Sequence, residues 1–274
     1  MPEQDGEGSG AESSRSVEMM PHKTSSLLSL AVQAAKKSAE VLLRDHAANR
    51  IVDLSTKRDI KIAADKRSEK VIADILLRGA PYSVLSEERG CIRNKKDRQQ
   101  QIRWIVDPLD GSLNYYRGIP LGCVSIALWD GETPILGVIY DFNRKECFAG
   151  VVGGEARLNG KIIKVSTVSK KSDAVLCTGF PSATDFSAPV LKGFVQDIRT
   201  YKKVRLLGSA ALSLAYVACG RVDVYRENNI HLWDVAAGIA IVKSANGTCA
   251  YAHAGKKHQY NVSATNTLQV VDKL

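Results

Sequence analysis

Two carboxylates, a glycine and a hydroxyl fall within six residues of this chain: Asp107, Asp110, Gly111 and Ser112, in the run Trp104-Ile105-Val106-Asp107-Pro108-Leu109-Asp110-Gly111-Ser112-Leu113-Asn114-Tyr115. Carboxylates that converge repel one another, and one takes up a proton unless a cation sits between them. Oxygen donors favour magnesium, manganese or calcium over zinc. Gly111-Ser112 is a good place for a helix to open, with free N–H groups that hold an anion. Acids for a cation beside amides for a phosphate suit metal-assisted phosphoryl chemistry. The same letters also make an ordinary polar turn, because Asp, Pro and Gly each favour turns.

The elements that must position these groups follow from periodicity. Trp104–Val106 reads as a short buried strand that stops at Asp107-Pro108, since proline brings no N–H to a ladder. Two carboxylates are few for a metal site, so others must arrive from elsewhere. A strand over Tyr82–Ser86 delivers Glu87 and Glu88, and an apolar helix from Val235 to Ala245 begins beside Asp234. Asp234 is there either a helix cap or a ligand. Upstream, Leu27, Leu30, Ala31, Ala34, Val41 and Leu42 recur at helical spacing, with Ser25 or Ser26 as cap. A second helix is predicted over 65–78, ended by Gly79 and Pro81. Apolar strands at 121–129, 134–140 and 145–151 complete an antiparallel meander. From about residue 174 the pattern alternates strand and helix. We therefore expect a disordered acidic tail (1–25), an α+β half carrying most of the acids (26–160) and an α/β half (161–274), with the site in the cleft between the halves.

The 274 residues carry a net charge of +9, and residues 1–26 hold five acids against two bases, which leaves +12 on the remainder. Such a body suits anionic substrates. Six basic residues between Arg89 and Arg103 form either a solvated loop or a rim that draws in phosphates. No zinc-finger or other nucleic-acid motif accompanies the charge, so no specific nucleic acid is expected. No apolar run is long enough to span a bilayer, and no secretory leader opens the chain. Six scattered cysteines without a C-x-x-C pair read as reduced thiols, in keeping with a cytoplasmic protein.

The run from Trp104 to Tyr115 resembles the central motif of the inositol monophosphatase family, within a superfamily of lithium-sensitive, magnesium-dependent phosphatases that includes fructose-1,6-bisphosphatases. Leu85-Ser86-Glu87-Glu88 resembles the family's strand ending in paired glutamates, and Trp233-Asp234-Val235-Ala236-Ala237-Gly238 its Trp-Asp signature. Lys57-Arg58-Asp59 with Asp65, Gly208-Ser209-Ala210-Ala211-Leu212, and Glu227 are similar to further family segments, although the loop before Asp65 is shorter than usual. The resemblance implies an α+β fold layered α-β-α-β-α and two or three magnesium ions. Glu87, Asp107 and the Leu109 carbonyl would hold one ion, and Asp107, Asp110 and Asp234 a second. Asp65 with Glu87 would hold a third or orient water. Ser112 would orient the attacking water, and the N–H groups of Gly111 and Ser112 would bind phosphate oxygens. Ser209, Ala210, Glu227 and Asp234 would contact substrate, and His231 would pack or support a neighbouring ligand rather than act as a nucleophile. Asn114-Tyr115 resembles inositol monophosphatases, so inositol 1-phosphate leads as substrate, with fructose 1,6-bisphosphate or dual specificity next. The resemblance also implies a homodimer. A regulatory or RNA-associated protein that keeps the fold is the alternative from another class.

Overall fold

Along Ile102–Asp110 successive side chains enter two different apolar cores, and that alternation explains the layering. Trp104 and Val106 join one core, and Ile105 the other. The computed structural model describes residues 21–48, 52–55, 60–98, 100–181 and 184–266. Residues 1–20 of the expected tail, and Lys57-Arg58-Asp59, lie outside them.

Helix α1 (Pro21–Ala48) and helix α2 (Ala63–Gly79) flank a two-stranded hairpin, β1 (Val52–Ser55) and β2 (Ile60–Ile62). Helix α1 opens at Pro21, so residues 21–25 are helical rather than tail, and Ser25 and Ser26 lie inside the helix rather than capping it. Proline is well suited to a first helical position, where its missing N–H would have no partner. Next come β3 (Ser83–Ser86), β4 (Gly90–Ile92), β5 (Ile102–Asp110), the short helix α3 (Ser112–Arg117), and strands β6 (Cys123–Asp130), β7 (Thr133–Asp141), β8 (Glu146–Val151), β9 (Ala156–Leu158) and β10 (Lys161–Ile163). These strands form one sheet in the order β10-β9-β8-β7-β6-β5-β3-β4. The meander is antiparallel as expected, but β3 lies parallel to β5. One face of this sheet packs on α1 and α2.

The second sheet contains β11 (Val175–Cys177), β12 (Lys203–Arg205), β13 (Val224–His231), β14 (Thr248–His253) and β15 (Gln259–Thr265), ordered β12-β11-β13-β15-β14. Helix α4 (Ala188–Thr200) lies beside β12, while α5 (Ala210–Ala218) and α6 (Leu232–Ser244) fill the space between the two sheets. The alternating pattern accounts for β11, α4, β12, α5 and α6. It does not account for β14 and β15, which pair antiparallel and make this sheet mixed.

Two close approaches hold the middle layer in place. A Cβ on Gly137 would stand 2.2 Å from the Ala237 carbonyl, and one on Gly238 would stand 2.4 Å from Leu214. Only glycine lets α6 sit this low on β7 and this near α5.

Candidate metal centre

Parallel pairing fixes the first two acids side by side. Ser86 of β3 stands opposite Val106 of β5, and the N–H of Glu87 donates to the Val106 carbonyl at 3.3 Å. Glu87 thus leaves its strand beside Asp107. Strand β5 does not stop at Pro108, as the proline suggested. It continues to Asp110 through a bulge, in which Asp107 faces Ser125 and Asp110 faces Cys123 across β6. A bulge is where a strand tolerates a residue without an N–H. Ser68 of α2 donates to the Pro108 carbonyl at 2.7 Å, and the Leu109 N–H donates to Asp107 at 2.9 Å.

The third acid comes from the middle layer. Ser125 donates to the Trp233 carbonyl at 3.3 Å and the Trp129 indole to the Ala236 carbonyl at 3.2 Å, which pins the start of α6 over β6. The N-cap of α6 is His231, so Asp234 stands in the first turn and is not the cap. One carboxylate oxygen each from Glu87, Asp107 and Asp234 lie within 4.8 Å of one another.

Asp110 is held differently. It accepts from the Ser209 hydroxyl at 2.5 Å and the Ala211 N–H at 2.8 Å, both at the start of α5. Ser209 caps that helix, its oxygen accepting from the Leu212 N–H. Gly111 has φ 88°, a left-handed conformation that suits glycine and turns the chain into α3. The Ser112 hydroxyl donates to the Leu109 carbonyl at 2.9 Å.

Glu87, Asp107, Leu109, Asp110, Gly111, Ser112, Ser209, Ala210, Glu227 and Asp234 all line one cavity of about 310 Å3. Asp65 does not. It is buried in the first turn of α2, outside both that lining and the group of three carboxylates. His231 also borders the cavity, its ring stacked on Trp233 at 4.8 Å. Sequence reasoning missed the opposite wall, Thr178–Pro181, where a Cβ on Gly179 would reach within 2.7 Å of the Glu227 carboxylate. It also missed the structural use of Asn114, whose amide donates to the Leu121 and Leu207 carbonyls at 2.9 and 2.8 Å and so ties α3 to both sides of the cleft. A glycine just after a buried strand was the available signal for the wall. The clasp left none.

The electrostatics are one-sided. Burial first, then the charges of Glu87, Asp110 and Asp234, pushes Asp107 well above the usual carboxylate range. Burial and the charges of Glu87, Asp110 and Glu227 do the same to Asp234. Burial carries Asp110 to about 6 despite its hydrogen bonds to Ser209 and the start of α5. Glu227 rises to about 7, again by burial, and it accepts a hydrogen bond from the Tyr225 hydroxyl at 3.0 Å. Among the described residues no Lys, Arg or His forms an ion pair with Asp107 or Asp234; protons or a bound cation must balance them. The all-oxygen donor set fits a hard divalent ion, whose ligands lie roughly 2.0–2.6 Å from the centre.

A profile of the inositol monophosphatase family matches residues 23–270. The chain belongs to that family. It is 36% identical over 256 residues to an inositol-1-monophosphatase of Mesorhizobium japonicum, covering 91% of this chain and 94% of that one. It is also 39% identical over 226 residues to the Nus factor SuhB of Xylella fastidiosa, covering 80% of each. Among solved structures, the inositol monophosphatase of Anabaena aligns with a TM-score of 0.76 at 35% identity, over 90% of this chain and 92% of that one. The suhB protein of Bartonella henselae aligns with a TM-score of 0.80 at 34% identity, over 88% and 94%. The layered α+β architecture expected from the motifs is the fold of these relatives.

Proposed function

We propose that the protein is a magnesium-dependent phosphomonoesterase that hydrolyses a small sugar or polyol phosphate, inositol 1-phosphate first, by direct attack of water. The observation that carries this reading is the trio Glu87, Asp107 and Asp234, oxygen donors within 4.8 Å in a cleft beside the Gly111-Ser112 turn. Glu87, Asp107, Asp110, Asp234 and the Leu109 carbonyl would hold the ions, and Asp65 with Glu87 would hold a weaker third ion or orient water. Bound magnesium would polarise a phosphoryl oxygen and acidify water. Ser112 gives its hydroxyl proton to the Leu109 carbonyl, so its oxygen can only accept. That suits holding a water by one of its O–H bonds. The N–H groups of Gly111 and Ser112 would face phosphate oxygens, with Ser209 and Ala210 on the far side. Glu227, anchored by Tyr225, would accept a hydrogen bond from a substrate hydroxyl.

The test is phosphate release from inositol 1-phosphate, fructose 1,6-bisphosphate and nucleoside monophosphates, with magnesium and with excess chelator. Inositol 1-phosphate should turn over fastest, with magnesium required, lithium inhibitory and calcium a poor substitute. Undiminished release in chelator overturns the metal reading. The family's homodimer belongs to the same proposal, supported by exposed apolar side chains on α4 (Val195, Ile198) and at Leu206 nearby, and sedimentation tests it.

A second reading rests on relatives that are named as a Nus factor, and on the exposed cations Arg93, Lys95, Lys96 and Arg98 that follow β4. Salt-dependent RNA binding that survives chelation, with no phosphate release, would favour it over the enzyme.

A further inference from the structure

Away from the cleft, three arginines from separate parts of the fold meet at one recess of about 410 Å3: Arg144 from the β7–β8 turn, Arg205 from β12 and Arg221 from just after α5. Leu207, Val222 and the ring of Tyr216 form its apolar wall. Two of the three guanidiniums are fixed. Arg221 donates to both carboxylate oxygens of Glu146 at 2.6 Å each, and lies 5.1 Å from the Tyr216 ring. Arg144 donates to the Pro120 carbonyl at 2.7 Å and to Asp141 at 3.0 Å. Arg205 is only lightly engaged, with one hydrogen bond to the carbonyl of its neighbour Val204 at 3.1 Å and no carboxylate partner among the described residues.

Two carboxylates against three guanidiniums leave a positive charge, and each guanidinium has more donors than these contacts use. A planar fork of N–H groups matches the paired oxygens of a phosphate or carboxylate. The recess is far larger than one water, which occupies about 30 Å3 in the liquid, and it falls in the range of small-ligand sites. A bare ion would leave the Tyr216 and Leu207 side unfilled.

We propose that this recess binds a small organic anion, an oxyanion head on a flat apolar body. Arg205 and Arg144 hold the head, and Tyr216 and Leu207 receive the body. This site stands independently of the reaction in the cleft, and its test needs no turnover.

The test is calorimetric titration with phenylphosphonate in excess chelator, where the crowded acids of the cleft repel an anion. Saturable binding is expected, weakened at least tenfold in Arg205→Gln and partly restored in Arg205→Lys. Titration with benzoate tells a carboxylate-type head from a phosphate-type one. Arg205 is exposed and holds only a neighbouring carbonyl, so its replacement should leave the fold intact, as circular dichroism would verify. Absence of saturable binding by either probe, or binding that is the same in Arg205→Gln, overturns the proposal.

Discussion

Asp141 and Asp107 are both buried aspartates of the larger sheet, 0% and 2% exposed, and they are balanced in opposite ways. Asp141 ends β7 and accepts from the N–H groups of Asn143 and Arg144, both at 3.0 Å, and from the Arg144 guanidinium at 3.0 Å. Every donor around it serves the turn that follows. Asp107 receives one backbone N–H and otherwise faces Glu87, Asp110 and Asp234. A buried acid matched by a cation and amides holds a fold together, whereas one placed among other acids opposes folding until something positive arrives. Burial alone does not separate the two roles; the sign of the neighbours does.

The largest effect should come from removing a charge in the unbalanced set. Asp107→Asn should cut turnover by about a thousandfold, the several kcal/mol that a lost ion-holding carboxylate implies. In chelator the same variant should unfold no earlier than the parent, because it relieves repulsion. If it unfolds markedly earlier, the contrast with Asp141 fails. Ser112→Ala should lower turnover roughly tenfold to a thousandfold, as for loss of a positioning or proton-transfer group, while Ser112→Thr stays active. A single turnover in oxygen-18 water should place the label in released phosphate, and a trapped phosphoserine would contradict that.

Asp141→Asn should do the reverse of Asp107→Asn. We expect a loss of about 2–3 kcal/mol in denaturant unfolding, in line with broken hydrogen bonds to a charged group, with near-normal turnover per folded molecule. The smallest effect is a pH dependence. Asp110 and Glu227 titrate at about 6 and 7 in the fold, above their ordinary values of 3.8 and 4.5. At these two groups the native state therefore binds more protons than the unfolded chain across this interval, so their contribution to stability is complete below about 4 and is lost as pH rises through about 7. Magnesium should flatten that fall and raise the melting temperature more at pH 8 than at pH 5. A metal-free protein whose stability rises over the interval would show that these acids are compensated after all.

Much of this was legible in the chain. The strand that carries Asp107, the helix that opens after Gly111 and the delivery of Glu87 by a strand follow from local chemistry. What escaped depended on partners distant in sequence. Pro108 argues against a strand until β6 is known to skip a residue there. Asp234 resembles a helix cap until His231 is seen to begin the helix one residue before Leu232. Strands β14 and β15 carry weak alternation and few large apolar residues, and β13 is what recruits them. Asp65 matched a family segment, and in the fold it is buried in the first turn of α2.

The bulge in β5 also acts as a parity device. In an unbroken strand, residues three apart point to opposite faces. Asp107 and Asp110 share the cleft because two residues, Pro108 and Leu109, stand against the single Val124 of β6. One residue inserted beside Val124 would restore a regular ladder without changing any residue of the motif itself. It would also turn Asp110 toward the α1–α2 core, where apolar Val106 and Ile126 supply no cation to balance it. The residue count of β6, a strand that supplies none of the clustered acids, therefore constrains the site as tightly as the letters of the motif.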